Sequence, residues 1–131
     1  MLAVDTNVVV RFLTDDDPAQ AAIARQLITG QRILLPDTVL LETEWVLRSL
    51  YGYSSNRIHH GLNLFSGLPS VQFARPLQVA LALGWYAQGM DFADALHLAA
   101  AMQNECDALA TFDRKLAAAA RKAGAGQVKL L

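Results

Sequence analysis

"LAVDTNVVVRFL", residues 2–13, decides the fold. Leu2 to Asp5 form a short apolar run that ends on an acid, and the eight residues after it keep helical spacing. A run this short suits a strand, and Thr6 or Asn7 is the residue type that caps a helix start. A strand feeding directly into a helix is the first half of a βαβ unit. The same alternation recurs: "RILLP" (32–36), "SVQFA" (70–74), "CDALATFD" (106–113) and "QVKLL" (127–131) read as further strands. Between them lie helical stretches. "PAQAAIARQLITG" (18–30) has Asp17 as cap, Pro18 at N1, one face of Ala22, Ile23, Leu27 and Ile28, and a stop at Gly30. "DTVLLETEWVLRSLYG" (37–52) is capped by Asp37 and ended by Gly52; "SSNRIHHGLNLFSGL" (54–68) is a weaker helix. "RPLQVALALGWYAQG" (75–89), a helix from "GMDFADALHLAAA" (89–101) to about Glu105, and "RKLAAAARKAG" (114–124) complete the set.

Strands alternating with helices predict an α/β fold: a three-layer α/β/α sandwich around a mostly parallel sheet of four to five strands. At 131 residues the chain is expected to be one domain, 1–131, with room for a hydrophobic core. Hydrophobic residues make up 53% and charged ones 18%, which argues against disorder and points to apolar surface covered by a partner. The single cysteine, Cys106, allows no intrachain disulfide and fits a reducing compartment; it is expected to be a small buried apolar residue. An acid at position 5 and no basic flank argue against a signal peptide, and no apolar run is long enough for a bilayer. A cytoplasmic protein with no membrane contact is the expectation. The net charge of −1 gives no basic signature of nucleic-acid binding, although four acids neutralised by a metal would turn the balance positive.

In open α/β sheets, sites form beyond the carboxyl ends of the strands. Asp5 ends the first predicted strand and Asp113 ends "ALATF", so two acids far apart in sequence take equivalent places. On the 37–50 helix, Glu42 falls beside Val39, Trp45, Val46 and Ser49, an acid in an apolar stripe. Glu44 falls on the other side, where Arg48 at i+4 can pair with it. A buried unpaired carboxylate is costly, so something positive should face Glu42. Asp94 shares a face with His97, Leu98 and Ala101. Asp91 is placed as the N-cap and Asp94 at N3, where an acid favours the helix dipole, so capping and metal binding both account for Asp94 at this point. Clustered carboxylates repel, and a divalent cation removes the conflict. Oxygen ligands without a Cys or His cluster suit Mg²⁺ or Mn²⁺ rather than zinc.

The other chemistry-bearing residues read as structure. His59 and His60 are expected at the surface near a turn, and His97 as a packed neighbour holding Asp94 in place. Trp45, Trp85 and Tyr86 fit helix packing better than a base-stacking platform. The acids of "TDDDPAQ" (14–20) read as solvated apart from the cap. No nucleophile elbow, Walker loop or dinucleotide glycine fingerprint occurs, so no organic cofactor is expected.

Four segments in order, "AVDTNVVVRFL", "TVLLETEWVLR", "MDFADALHLAAA" and "ALATFDRKLA", resemble the PIN domain, and more narrowly the bacterial VapC toxins of type II toxin–antitoxin systems. Each motif alone is weak; the four in sequence, over nearly the whole chain, are specific. The resemblance implies a Mg²⁺- or Mn²⁺-dependent endoribonuclease whose acidic site falls on Asp5, Glu42, Asp94 and Asp113. Asp5 and Asp94 would be direct ligands, with Glu42 and Asp113 completing the shell or positioning water. The accompanying small polar residues would be Thr6 or Asn7, and Thr111. Many relatives carry "TxNxxDF" where this chain has "TFDRKL", so Asp113 follows Phe112 directly and a role through water is open to it. RNA would need positive charge near the acids, for which Arg11, Arg114 and Lys115 are nearest in sequence. A homodimer and a small antitoxin protein are further implications. Two other readings compete: a catalytically silent PIN-like RNA- or protein-binding module, and a Mg²⁺ phospho-acceptor domain with clustered aspartates.

Overall fold

Each described strand but the last hands over to one helix or a helix pair, as the alternation predicts. The computed structural model describes residues 1–125 and 127–131, which form two compact units, Met1–Arg75 and Pro76–Leu131.

In the first unit β1 (Leu2–Ala3), β2 (Ile33–Leu35) and β3 (Val71–Phe73) form a parallel sheet in that order, with Leu2 opposite Ile33 and Leu35 opposite Phe73. Helix α1 (Thr6–Leu13) packs on α2 (Pro18–Gly30) and on α3 (Asp37–Ser49); α3 packs on α4 (Ser55–Ser66), and α4 on β3. Ile33 and Leu35 are fully buried on the central strand, and Val9, Ile28, Leu40, Ile58 and Leu62 are buried on the helices. The Phe12 and Phe65 rings meet edge to face at 5.3 Å, joining α1 to α4.

In the second unit α5 (Pro76–Ala87) and α6 (Phe92–Gln103) form a helical hairpin. Buried Ala82, Ala95 and Ala99 leave room for close approach, and the Tyr86 and Phe92 rings pack at 5.0 Å. The connection turns at Gly89, whose φ of +99° is a conformation that L side chains rarely adopt. Strands β4 (Leu109–Thr111) and β5 (Val128–Leu130) pair in parallel, joined through α7 (Arg114–Lys122), which buries Leu116, Ala117 and Ala120.

The fold is therefore α/β with parallel strands, but the described strands pair as three and two rather than as one sheet of four to five. Each is only two or three residues long, so each ladder holds two or three residue pairs.

Several local expectations change for identifiable reasons. Asp5, not Thr6 or Asn7, caps α1: its carboxylate accepts from the Val8 N–H at 3.3 Å. Pro36 holds the N-cap position of α3, which puts Asp37 inside the first turn; the helix ends at Ser49, ahead of Gly52. On α2 the buried residues are Ala21, Ala24 and Ile28, because small side chains let α1 approach, and Ile23 is left 68% exposed. On α3 the buried stripe is Leu40, Thr43, Glu44 and Leu47, one face round from the predicted one, so Glu42 and Trp45 are exposed. Glu44 is 2% exposed and tolerates burial because Arg48 Nε donates to both its oxygens, at 3.0 and 3.1 Å. Cys106 is exposed rather than buried, since it lies in the bend between α6 and β4. His59 is half-buried and His60 exposed, both within α4 rather than near a turn.

Candidate active-site carboxylates

In the first unit the acids stand where β1 runs out. Val4 is buried, and Asp5 follows it as the exposed N-cap of α1, with Oδ1 engaged by the Val8 N–H. Thr6, 7% exposed, donates its hydroxyl to Glu42 Oε1, which ties the start of α1 to the exposed side of α3. Of the two small polar residues that the sequence offered, Thr6 is therefore the one that supports an acid. Asn7 instead lines a groove of about 200 Å³ between α1 and α2, with Val8, Gln20 and Ile23.

Arg11 is committed within the same unit. Its Nε donates to Gln20 at 2.8 Å, and its Nη1 donates to Asp16 at 3.2 Å and to the Tyr51 hydroxyl at 3.1 Å. Tyr51 in turn donates to Asp16 at 2.6 Å. That hydroxyl, then the one on Thr14, holds the Asp16 carboxyl below the ordinary range; desolvation opposes them, and the Arg11 charge adds to the lowering. So Asp16, exposed to solvent as expected, is also tied into a hydrogen-bonded knot, and Arg11 serves it.

In the second unit Asp91 caps α6, its Oδ1 accepting from the Asp94 N–H at 3.1 Å. Asp94 sits half-buried in that first turn. Burial raises its proton affinity, the charges of Asp91 and Asp113 raise it further, and His97 pulls it back. Asp113 caps α7: its Oδ1 accepts from the N–H groups of Lys115 (2.8 Å) and Leu116 (3.3 Å), and its own N–H donates to Thr111 Oγ1 at 3.0 Å. Asp91, Asp94, Asp113 and Lys115 line one hollow of about 530 Å³. His97 is exposed, so it acts on Asp94 through charge and not as a packed neighbour. Arg114 and Lys115 are exposed at the start of α7.

Three of these acids, Asp5, Asp91 and Asp113, spend one carboxylate oxygen on a helix N-terminus. The bond fixes the carboxylate's orientation and leaves Oδ2 for another partner. The donors on both units are carboxylate oxygens, which fit a hard divalent cation. Among the described residues no three His, Cys, Asp or Glu side chains group closely enough to hold a metal ion. What sequence reasoning missed is the knot around Asp16; Tyr51, 35 residues away, gives no local signal of it.

The family model described as "PIN domain" matches residues 2–122 of the chain. No curated protein matches it significantly. Among solved structures, it is similar to the VapC20 toxin of Mycobacterium tuberculosis, described as a sarcin–ricin loop cleaving toxin. The identity is 18% over 99% of this chain and 98% of that one, with a TM-score of 0.43.

Proposed function

The chain belongs to the PIN domain family, and from that premise we propose that it is a divalent-metal-dependent endoribonuclease, the toxin of a toxin–antitoxin pair. One observation carries the reading: Asp94 is half-buried in a hollow with two further acids, where its ionised form is disfavoured by burial and by like charge. Surplus negative charge of this kind is what a bound cation offsets. The order of the four VapC-like motifs supports assigning the metal-dependent step to Asp5, Glu42, Asp94 and Asp113. In this assignment Asp5 and Asp94 are ligands, while Glu42 and Asp113 complete the shell or position water.

When bound, Mg²⁺ or Mn²⁺ supplies charge for the phosphate and the leaving oxygen and lowers the pKa of water. The chain's own groups do the rest. Thr6 fixes Glu42 through Oε1, leaving Oε2 to accept a proton from water. The α7 N-terminus fixes Asp113, and Thr111 holds the backbone under it. Lys115, at the rim of the acidic hollow, offers a cation to the RNA backbone, as does exposed Arg114; Arg11 serves RNA less well, since Asp16 and Tyr51 hold it.

A homodimer, an antitoxin partner and a cytoplasmic location belong to the same proposal. Supporting them are the VapC-like motifs and exposed apolar residues such as Ile23, Trp45 and Leu77. No helix among the described residues is long and apolar enough to cross a membrane. The deciding experiment incubates the purified chain with a mixed single-stranded RNA pool in Mn²⁺ and in EDTA. Cleavage in Mn²⁺ that stops in EDTA is the expected result. RNA bound but left intact at every metal concentration would make the chain a silent binding module and overturn the proposal.

A further inference from the structure

A second hollow, of about 520 Å³, opens beside the acidic one within the second unit. It is lined by Trp85, Gln88 and Lys122, and the two hollows share Gly89, Met90 and Ala119. Two of those three shared residues have no side chain beyond Cβ, so the passage between the hollows is low-walled. Helix α7 runs along both. Lys115, Ala119 and Lys122 fall at i, i+4 and i+7 on one helix face, which places one lysine in each hollow. At 1.5 Å per residue the two lysines stand about 10 Å apart along the axis. Neither takes part in an ion pair among the described residues, and both are exposed.

The second hollow differs from the first in chemistry. It carries no acid; its apolar wall is the small part of Trp85 and Met90 that core packing leaves open (8% and 3% exposed), beside the donor and acceptor of the Gln88 amide and one ammonium. That is the set of groups a nucleotide uses: a base against the apolar wall, a base edge on the amide, a phosphate on the cation. Its volume lies within the roughly 300–1,000 Å³ of ligand pockets. We propose that this hollow is a nucleotide subsite, which holds the RNA residue next to the phosphate cleaved at the acidic hollow. Lys122 takes that residue's phosphate and Gln88 reads its base. The identity of the ligand as RNA rests on the ribonuclease reading above; the subsite itself rests on the hollow, its lining and its continuity with the acids.

The test measures binding of a short single-stranded RNA in EDTA, where no cleavage intervenes, and then KM and kcat in Mn²⁺. Lys122→Gln weakens binding several-fold and flattens the plot of log affinity against log salt by about 0.7, the loss of one single-strand phosphate contact. Lys122→Arg restores most of the slope. Lys129→Gln, the same charge change on β5 and in neither hollow, leaves it unchanged. Ala119→Leu raises the wall between the hollows and weakens binding by a second route. In Mn²⁺, Lys122→Gln raises KM and leaves kcat at the parent's value, and Gln88→Ala changes the base preferred beside the cut. A parental salt slope and KM in Lys122→Gln, or an equal loss in Lys129→Gln, overturns the subsite while metal-dependent cleavage still stands. A Lys122-dependent salt slope in a chain that never cuts RNA overturns the nuclease reading and keeps the subsite. A parent that binds no RNA removes both.

Discussion

Asp91 and Asp94 pose the question of capping against metal binding, and the capping falls to Asp91. Asp91 caps α6 through one oxygen, and the bond it makes is to the N–H of Asp94 itself. Asp94 thereby sits rigidly in a place its charge does not favour. Because its folded-state pKa is raised, the fold favours the protonated form; that advantage is complete at low pH and is lost as pH rises through the raised value. Asp94→Asn mimics the neutral form. In EDTA at neutral pH it should therefore melt at a higher temperature than the parent, and the gap should close below the ordinary carboxylate range. Equal or lower melting at neutral pH would show that the burial and like charge around Asp94 carry no cost. Asp16 has the opposite sign. Its pKa is held down, chiefly by Tyr51, so its contribution is present at neutral pH and lost as pH falls below the ordinary range. Tyr51→Phe should lower Tm at pH 7 and lose most of that effect near pH 3; a pH-independent change would assign Tyr51 to packing alone.

Helix starts were legible where the capping chemistry was local, and helix faces were not. Asp17, Asp91 and the Pro18 start follow from neighbours in sequence, and the structure has them as predicted. The phase of α3 depends on what packs against it. Val39–Glu42–Val46 and Leu40–Thr43–Glu44–Leu47 are both plausible stripes, and only the second faces the core. The i+4 pairing of Glu44 with Arg48 was readable, but a pair in sequence does not say whether it lies in water or under a helix. Thr6 meeting Glu42 across 36 residues had no sequence signal beyond the family pattern. At α7 the cap and the candidate site are one residue, which allows the two roles to be separated. Asp113→Ala removes the acceptor for two helix N–H groups and should cost about 1 kcal/mol of stability. Asp113→Asn keeps the cap and should recover most of that stability without recovering cleavage. Urea melts and RNA cleavage on both variants check this; full activity in Asp113→Asn would leave Asp113 a cap only.

Over the whole chain, the fold class and the order of the elements were available from alternation and from four short motifs, and the PIN match over residues 2–122 agrees with them. The strand pairing was not, because two-residue and three-residue strands leave almost no periodic signal to count. Nor was the hollow beside Lys122, which depends on the way α5, its Gly89 turn and α7 approach one another. The acids are the part the sequence placed best by position, at the ends of β1 and β4, even though the burial argument for Glu42 failed. They also carry the central claim, so the direct test is at two of them. Asp5→Asn and Asp94→Asn, each first shown to be folded by its melting curve, are assayed for RNA cleavage in Mn²⁺ against the parent. The account predicts that each loses about a hundredfold or more in rate; either variant cutting RNA as fast as the parent would contradict it.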